Sequence, residues 1–427
     1  MKLADAFLES MREVIADKAE YEEFLAALRG QREYGLRVNT LKIDSSDFLR
    51  TSGIDGLSPV PWCGQGFYYD KQGQAPLGKH PLYNAGLYYI QEPSAMSAAA
   101  FLDAQPGDRV LDLCASPGGK TTQLAAALGG RGLLVSNDAT FGRIPQLLRN
   151  VEMAGVRNAI VLCESPQKLA TRFEGFFDRV LVDAPCSGEG MFRKDPAAIT
   201  AWDESKPTRL ATIQRGILNE AAKMVAGGGY LLYSTCTFNR LENEDVIEDF
   251  LRRHRDFELC GEPLRIWPHK DRGEGHFAAR LRRRGEAEAK SLQKSFPKVK
   301  SDLFQDFCEK YELRLPEGDV FAHGDRLFVA PPIYPDLSGL RTIRAGLFLG
   351  TLKKQRFEPS YALALALKKS DFAQTIDLPL DSPLIAKFLG GESFEIDETD
   401  GYKLFCVQGY PIGFAKLLKG RLKGRII

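Results

Sequence analysis

The sequence predicts an α/β fold built on a mostly parallel sheet, with a smaller strand-containing unit on each side of it. Two observations carry this prediction. Between residues 110 and 252, short apolar runs typical of buried strands alternate with stretches of helical residue types. At the first transition, Pro117-Gly118-Gly119 ends an apolar run and helical residue types follow at once. Parallel strands joined by helices bury both faces of their sheet and bind ligands outside the strand carboxyl ends.

Composition limits the function classes. The chain has 427 residues, enough for two or three domains. Its 57 Lys and Arg residues balance 56 Asp and Glu residues, so any basic surface for nucleic acid must be local. Neither a signal peptide nor a run of about 20 apolar residues is present, so we expect a cytoplasmic protein without membrane contact. Eight scattered cysteines form no metal-spaced cluster, and we expect no metal site.

Residues 1–80 predict a small α+β unit. Apolar residues at helical spacing indicate two helices between Leu3 and Leu28, with a break near Asp17. Alternation then predicts a strand over Tyr34–Ile43, a helix starting at Ser45 and a second strand-like stretch over Val60–Tyr69. Six side chains of this unit predict either a stacking and phosphate surface for RNA or a plain half-solvated sheet: Arg37, Asn39, Lys42, Phe67, Tyr68 and Tyr69.

Residues 81–283 predict the central sheet. After a short helix over Ala95–Phe101, the predicted strands are Val110–Leu113, Leu133–Asn137, Ala159–Cys163, Phe177–Asp183 and Gly229–Thr235. The predicted helices between and behind them are Lys120–Leu128, Ile144–Ala154, Thr208–Val225 and Leu241–Arg252. His276–Leu281 predicts a last strand at the sheet edge.

The rest of the chain divides into a linker and a C-terminal domain. Residues 284–300 are charged and poor in apolar residues, which is typical of a linker. Residues 301–427 predict strands near 320–322, 326–329 and 402–407 and a helix over Ser360–Lys368. The tail carries five cations that indicate either a solvated face or a phosphate-binding surface: Lys416, Lys419, Arg421, Lys423 and Arg425.

The glycine loop after the first central strand predicts a nucleotide-type binding site. A phosphate loop requires G-x-x-x-x-G-K-[ST]; Gly119-Lys120-Thr121 supplies its end, but Cys114 occupies the first glycine position. That substitution argues against a P-loop ATPase. S-adenosylmethionine fits better, because it needs close backbone approach but no phosphate cradle. An ordinary strand-to-helix turn is the remaining alternative.

Two acidic residues extend this site. Asp138 follows the second central strand, in the place where doubly wound folds put the acid that accepts hydrogen bonds from a ribose. We therefore expect Asp138 to bind the ribose of the cofactor. Glu164 follows the next strand and is the natural neighbour of the adenine edge, although many surface glutamates follow strands without a function.

Two cysteines arrive at the same edge of the sheet. Asp183-Ala-Pro-Cys-Ser-Gly188 closes the fourth central strand, and Ser234-Thr-Cys-Thr237 closes the fifth. A single buried cysteine is usually an inert small hydrophobe. Two of them at adjacent strand ends, beside a cofactor loop, indicate thiol chemistry on a methyl acceptor.

Three motifs now carry a resemblance to a known family. Cys114-Ala-Ser-Pro-Gly-Gly-Lys120, Asp183-Ala-Pro-Cys-Ser-Gly-Glu-Gly190 and Tyr233-Ser-Thr-Cys-Thr-Phe-Asn-Arg-Leu-Glu-Asn243 resemble the RNA cytosine-5 methyltransferases of the Nop/Sun group. Arg37-Val-Asn-Thr40, Gln91-Glu-Pro-Ser94 and Gly275-His-Phe277 also match, so the resemblance covers roughly residues 30 to 283. Arg356-Phe-Glu-Pro-Ser360 and Gly409-Tyr-Pro-Ile-Gly-Phe-Ala-Lys416 are similar to the bacterial branch that acts on small-subunit ribosomal RNA, whose tail ends in a PUA-like RNA-binding module.

The resemblance implies a fold and a reaction. The fold is a Rossmann-like S-adenosylmethionine-dependent methyltransferase sheet with a small α+β N-terminal domain and a β-rich, PUA-like C-terminal domain. The reaction is methyl transfer to carbon 5 of cytosine in RNA, with 16S ribosomal RNA or the small subunit as partner, by a monomer. Cytosine carbon 5 becomes nucleophilic only after a thiolate adds at carbon 6, which is why a thiol is needed.

The resemblance also implies residue roles. In the RNA enzymes the attacking sulfur lies in the Thr-Cys motif, here Cys236, and the Pro-Cys motif, here Cys186, helps to release product. DNA cytosine-5 enzymes attack from a Pro-Cys, so Cys186 is the rival nucleophile. Asp183 would hold the amino edge of the cytosine, and Lys120 would contact the base or support the loop. The predicted cofactor site comprises Cys114, Ala115, Ser116, Pro117, Gly118, Gly119, Lys120, Asp138, Glu164 and Asp183.

Two points stay open at this level. No histidine is assigned to a motif, so the group that lowers the pKa of the attacking thiol must be Lys120, a helix dipole or the substrate itself. A noncatalytic RNA-binding ribosome-assembly factor is a further alternative to the P-loop ATPase, although such a factor would have no need for both Cys186 and Cys236.

Overall fold

The structure is a computed structural model that describes residues 3–71, 76–286, 299 and 301–426. Most of the predicted linker, residues 287–298 and 300, lies outside the described residues. The described chain forms an N-terminal α+β unit, a central α/β domain and a β-rich C-terminal part, which confirms the predicted fold class. The predicted domain boundaries at 80, 283 and 300 stay predictions.

The N-terminal unit holds a four-stranded antiparallel sheet in the order β2-β3-β1-β4. Its elements are α1 (Asp5–Val14), α2 (Lys18–Arg29), β1 (Gly35–Val38), α3 (Ser45–Thr51), β2 (Ser58–Val60), β3 (Cys63–Tyr68), α4 (Pro81–Asn84) and β4 (Tyr88–Ile90). Strand β1 is shorter than predicted because the Asn39 backbone carbonyl accepts hydrogen bonds from the amides of Lys42 and Ile43, which turns the chain away from the sheet.

The central domain follows the predicted alternation. Its elements are α5 (Ser97–Leu102), β5 (Arg109–Asp112), α6 (Gly119–Leu128), β6 (Leu133–Asn137), α7 (Ile144–Met153), β7 (Ala159–Leu162), α8 (Pro166–Arg172), β8 (Phe177–Asp183), α9 (Pro196–Thr200), α10 (Ser205–Met224), β9 (Val225–Thr235), α11 (Glu244–Arg253), β10 (Phe257–Leu259), β11 (Leu264–Ile266) and β12 (His276–Arg283). Strands β9, β8, β5, β6 and β7 are neighbours in that order and run parallel.

Helices cover both faces of this sheet, as the apolar strands require. Leu111 and Val135 point to one face and pack with residues of α8, α10 and α11. Their neighbours Val110 and Leu134 point to the other face and pack with residues of α5, α6 and α7. Alternate residues of one strand thus enter two separate cores.

The C-terminal part contains two four-stranded sheets. Its elements are α12 (Asp302–Lys310), β13 (Val320–His323), β14 (Arg326–Val329), β15 (Thr342–Ala345), β16 (Leu347–Lys353), β17 (Arg356–Pro359), α13 (Tyr361–Ala366), β18 (Thr375–Leu378), α14 (Pro383–Leu389), β19 (Gly401–Val407), β20 (Tyr410–Leu418) and β21 (Arg421–Ile426). The sheets are ordered β13-β14-β16-β17 and β18-β19-β20-β21. Phe405 and Phe388 share a core with Leu36 and Phe48, so the last sheet packs against the N-terminal unit.

The edges of the central sheet differ from the prediction. Strand β12 is not the edge strand, because β10 and β11 pair with its outer side. At the opposite edge, β15 from the C-terminal part pairs antiparallel with β7. No sequence pattern indicated this addition, because residues 342–345 are too few and too mixed in polarity to predict a strand of the central sheet. Within the described residues, no helix has both the length and the apolar character needed to cross a membrane.

Candidate active site

A cavity of about 430 Å³ lies where β5, β8 and β9 end. The loop between β5 and α6 forms one wall, and Asp183 and Cys236 from the ends of β8 and β9 form another. Tyr34 and Tyr89 of the N-terminal unit also line it. The predicted loop residues Cys114, Ala115, Ser116, Pro117, Gly119 and Lys120 line the cavity directly.

The glycines of this loop are required by its surroundings. Gly118 has a φ of 107°, and a side chain there would approach Leu147 Cδ1 to 3.1 Å. At Gly119 a side chain would approach the ring of Tyr89 to 3.1 Å. Asn150 Nδ2 fixes the loop by donating to the carbonyl oxygen of Pro117 at 2.7 Å. The loop backbone is therefore held between α7 and the N-terminal unit, as a close backbone approach to a ligand demands.

Asp112 is a cavity residue that the sequence analysis missed. It is fully buried; its Oδ2 accepts a hydrogen bond from Thr121 Oγ1 at 2.6 Å, and its Oδ1 has no hydrogen-bond partner among the described residues. Burial raises the pKa of Asp112 to about 7, against the opposing effect of the Thr121 hydrogen bond. An unpartnered carboxylate oxygen on the cavity wall fits the positive groups of S-adenosylmethionine. The sequence signal that could have identified Asp112 is its position as the last residue of β5.

The two predicted acids that flank the loop do not line the cavity. Asp138 lies against the loop: its Oδ2 accepts from the Ser116 amide at 3.3 Å and faces Arg143 Nη1 at 3.2 Å. Glu164 Oε1 accepts from the Arg341 amide at 2.6 Å and from Lys168 Nζ at 2.7 Å. Asp138 thus contacts the predicted cofactor loop, whereas Glu164 holds the segment that leads into β15.

The structure brings the two predicted cysteines together. Cys186 Sγ lies 3.4 Å from Cys236 Sγ, and the Cys236 amide donates to Cys186 Sγ at 3.4 Å. Both thiols are free and half-buried, and Cys236 lines the cavity. The hydrogen bond with Cys236, together with burial, raises the pKa of Cys186 well above its ordinary value. Cys186 therefore holds its proton at neutral pH.

Two buried carboxylates fix this separation. Glu189 Oε2 accepts from the amides of Phe238 and Asn239, at 2.9 and 3.0 Å. Glu242 Oε2 accepts from the Ser187 amide at 2.9 Å. Each carboxylate therefore ties the loop that carries one cysteine to the loop that carries the other, and each is fully buried. Buried, fully bonded acids of this kind hold a site in one geometry.

Lys120 and Asp183 form an ion pair beside the thiols. Lys120 Nζ lies 2.7 Å from Asp183 Oδ2, and Ser234 Oγ donates to Asp183 Oδ1 at 2.9 Å. Burial acts to raise the pKa of Asp183, but Lys120, His276 and Ser234 together outweigh it and the net pKa is lowered. Burial likewise acts to lower the pKa of Lys120, but Asp183 and its neighbours, among them Asp112, together outweigh it and the net pKa is raised. Both groups are ionised at neutral pH.

His276 is a second cavity residue that the sequence analysis did not assign. It begins β12, its ring is buried, and its Nε2 lies 3.9 Å from Asp183 Oδ1. The sequence assigned no histidine to the site, whereas His276 lines the same cavity as Cys236. Strand β12 runs antiparallel to β9, so its first residue, and not its last, reaches the carboxyl edge of the sheet. The matched motif Gly275-His-Phe277 was the available signal.

The residues predicted for an RNA surface are mostly internal, so that prediction is wrong for them. Arg37 is buried, donating to Thr122 Oγ1 at 2.7 Å and to Gln91 Oε1. Asn39 is buried and donates to the carbonyl oxygens of Gly86 and Ala154. Lys42 is half-buried and donates to those of Ala85 and Met153. Phe67 and Tyr68 are buried as well. Arg37, Asn39 and Lys42 join the N-terminal unit to the central domain, because α6 and α7 pack on that face of the strand.

A different cleft of about 640 Å³ adjoins the cavity and shares five residues with it. The rings of Tyr34 and Tyr69 lie 5.7 Å apart there, and both residues are half-buried. The Arg32 guanidinium lies 4.5 Å and Lys71 Nζ 5.4 Å from the centre of the Tyr34 ring. In the tail, Lys419 and Arg421 are exposed and Lys416 is half-buried, while the side chains of Lys423 and Arg425 lie outside the described residues.

Comparison with known proteins gives the family. The chain matches the model described as 16S rRNA methyltransferase RsmB/F over residues 99–282 and the N-terminal domain of 16S rRNA methyltransferase RsmF over residues 3–93. It also matches the first C-terminal domain of the RsmF rRNA methyltransferase over residues 306–367 and the RsmF PUA domain over residues 375–426. Ribosomal RNA small subunit methyltransferase F of Shewanella loihica is 31% identical over 100% of this chain and 95% of its own length. The chain belongs to the RsmF family of small-subunit ribosomal RNA methyltransferases.

Further similarities agree with this assignment. Ribosomal RNA small subunit methyltransferase F of Photobacterium profundum is 33% identical over 99% of this chain and 95% of its own length. A methyltransferase homologue from Pyrococcus horikoshii superposes with a TM-score of 0.54 at 28% identity, covering 66% of this chain and 100% of its own. As a member of this RsmF family, the chain is an S-adenosylmethionine-dependent RNA cytosine-5 methyltransferase with a PUA RNA-binding domain. The ATPase and noncatalytic alternatives are thereby set aside.

Proposed function

We propose that Cys236 is the nucleophile of this RsmF-family enzyme and that its substrate is 16S ribosomal RNA, free or in the small subunit. The observation that carries the proposal is the contact of 3.4 Å between the two thiols, of which Cys236 faces the cavity. Cys186 does not line the cavity and keeps its proton, because its pKa is raised by the hydrogen bond with Cys236 and by burial. A protonated thiol is a poor nucleophile. Cys186 is therefore the assisting thiol.

The two thiols act in sequence on one cytosine. The Cys236 thiolate forms a bond from Sγ to carbon 6, and the ring electrons move toward carbon 5. S-adenosylmethionine, when bound, supplies the methyl group. A water molecule then takes the proton from carbon 5, the electron pair of that C–H bond restores the ring double bond, and the bond from Cys236 Sγ to carbon 6 breaks, its electron pair leaving with the sulfur. The thiol of Cys186, 3.4 Å from the departing sulfur, donates a hydrogen bond to it and favours release.

Asp183 holds the base and Lys120 keeps Asp183 ionised. The Asp183 carboxylate accepts hydrogen bonds from the amino edge of the cytosine and from ring nitrogen N3 when that nitrogen is protonated. Lys120, 2.7 Å away, stabilises the carboxylate against its burial. A target inside a helix cannot reach this cavity, so the cytosine is flipped out or already unpaired.

The loop Cys114–Lys120 binds the cofactor, with Asp112 opposite its positive groups, Asp138 at its ribose and Glu164 toward its adenine. Support comes from the fixed glycine backbone and from the unpartnered oxygen of Asp112. The RNA that flanks the target crosses the Tyr34 cleft, where aromatic rings and cations lie together. The exposed tail cations give further phosphate contacts, and the enzyme works as a monomer in the cytoplasm.

The thiol roles are tested by trapping. Cys186→Ala is expected to accumulate a protein–RNA adduct that survives a denaturing gel, because carbon 6 stays bonded to Cys236. Cys236→Ala is expected to form no adduct and no product. Cys260→Ala, a half-buried free thiol outside the cavity, is the matched control and is expected to behave as wild type. The reverse adduct pattern would exchange the two roles, and bisulfite sequencing of 16S ribosomal RNA with and without the gene identifies the target.

A further inference from the structure

His276 is placed in the cavity by the direction of its strand. Because β12 runs antiparallel to β9, Phe277 pairs with Thr235 and the preceding residue stands at the edge where β8 and β9 end. His276 is 3% exposed, and the cavity that it lines also contains Cys236, Asp183 and Lys120. The ring therefore lies at the wall of the space that the substrate base must enter.

The backbone around His276 leaves it little freedom. Gly275 has a φ of 125°, and a side chain there would lie 2.3 Å from Phe238 Cε1. The Gly275 amide donates to Ser94 Oγ at 3.3 Å. At Gly190, an added side chain would lie 2.9 Å from the Gly275 carbonyl oxygen and 3.0 Å from that of Cys236. The loop before His276 and the loop of Cys236 are thus packed on the same glycine.

The ring nitrogens of His276 have no hydrogen-bond partner among the described residues. The distance of 3.9 Å to Asp183 Oδ1 is too long for a hydrogen bond, and that oxygen already accepts from Ser234 Oγ. Burial, reinforced by the charge of Lys120, lowers the pKa of His276 to about 3. The ring is therefore neutral and offers one N–H donor and one acceptor nitrogen. A buried, unpartnered polar ring on a cavity wall indicates that a ligand supplies the partner.

We infer that His276 binds the flipped cytosine by donating a hydrogen bond to its carbonyl oxygen O2. The inference rests on the proposed roles of Asp183 and Cys236. If Asp183 accepts from the amino group and from protonated N3, the remaining polar atom on that edge is O2, which requires a donor. His276 stands beside Asp183 and its ring nitrogens are unpartnered, whereas the single hydroxyl proton of Ser234 is already donated to Asp183.

This hydrogen bond strengthens during the reaction. When Cys236 Sγ adds to carbon 6, the electron pair of the broken ring double bond is shared by carbon 5, which accepts the methyl group, and, through conjugation, by N3 and O2. A fixed donor at O2 stabilises that charge more than it stabilises the unreacted base. His276 is therefore a base-binding residue whose contribution falls mainly on the chemical step.

The test compares two replacements of opposite character. His276→Phe keeps an aromatic ring and removes the hydrogen-bond donor. His276→Gln removes the ring and keeps an N–H donor. We expect kcat/KM for methylation of target RNA to fall about 100-fold in His276→Phe, mostly in kcat, and less than about tenfold in His276→Gln. A packing role predicts the opposite order, with Phe tolerated and Gln impaired. Unfolding midpoints and calorimetric S-adenosylmethionine binding show that both variants are folded.

A substrate change tests the same hydrogen bond from the other side. RNA with 2-thiocytidine at the target replaces O2 by sulfur, a weak acceptor. We expect this RNA to slow the wild type strongly and to slow His276→Phe little further, because both changes remove one interaction. The inference would be overturned if the rate losses from His276→Phe and from 2-thiocytidine multiplied in full, or if His276→Phe kept the wild-type rate. Methylation that persists in Cys236→Ala would instead overturn the proposed function.

Discussion

Gly190 offers the sharpest test of how the site is held together, because it contacts two catalytic loops through backbone alone. An alanine Cβ at this position would lie 2.9 Å from the Gly275 carbonyl oxygen and 3.0 Å from the Cys236 carbonyl oxygen, while ordinary contacts begin near 3.4 Å. The Gly190 amide also donates to the Cys236 carbonyl at 2.9 Å. Gly190→Ala must therefore push both segments back by roughly half an ångström in a close-packed interior.

The size of the effect follows from that displacement. Overpacking of this kind costs about 1–3 kcal/mol of unfolding free energy. Because a misplacement of about 1 Å can cost about 100-fold in rate, half of it predicts a methylation rate roughly tenfold lower in Gly190→Ala. The three atoms nearest to an added Cβ are the carbonyl oxygens of Gly275, Cys236 and Glu274, none of them in the loop Cys114–Lys120, so S-adenosylmethionine affinity is expected to stay unchanged.

Gly216 supplies the matched control. It lies within α10, and an added Cβ would meet nothing within 4 Å. Gly216→Ala is expected to stabilise the protein by about 1 kcal/mol through helix propensity and to leave the methylation rate unchanged. Denaturant unfolding, single-turnover methylation and calorimetry are the three measurements. A Gly190→Ala enzyme with wild-type stability and rate, or with weakened cofactor binding as its main defect, would refute the reasoning.

Three further predictions concern the cavity and its rim. Lys120→Met leaves the half-buried Asp183 without a cation that lowers its pKa, so Asp183 should take up a proton at a higher pH and the acid limb of the kcat/KM profile should move to higher pH. Lys120→Arg should keep the wild-type profile. Asp112→Asn should weaken S-adenosylmethionine binding about tenfold by calorimetry, the loss of one charged contact, and leave RNA affinity unchanged. Tyr34→Ala should weaken RNA binding about tenfold in a filter-binding assay, while Tyr34→Phe, which keeps the stacking ring, should not; equal affinities in both would remove the cleft from the RNA path.

Much of the site could be predicted from the residues at the ends of the parallel strands. Cys186 and Cys236 were predicted to meet because parallel strands deliver their final residues to one edge, and the structure places their sulfurs 3.4 Å apart. The same rule located Asp183 and the glycine loop. It did not locate His276, because an antiparallel strand delivers its first residue to that edge, and strand direction is a property of pairing that no local pattern records.

In the N-terminal unit the error was the reverse, because side chains predicted to lie at a surface are internal. Alternation along residues 34–43 correctly indicated a strand, and its side chains were predicted to form either an RNA surface or a half-solvated sheet. Arg37 is instead buried by α6 and bonded to Thr122. A single strand has two faces, and which of them meets solvent depends on what packs there from distant parts of the chain.

The sequence by itself determined the five parallel strands of the central domain and most of the helices between them, the loop that needs Gly118 and the pair of cysteines at neighbouring strand ends. These follow from local terms: residue periodicity, backbone freedom and the polarity of a parallel strand. Only the tertiary structure decided that β15 completes the central sheet, that Arg37 is internal and that His276 faces the cavity. Those outcomes depend on contacts between segments far apart in the chain, whose free energy appears only when both partners are in place.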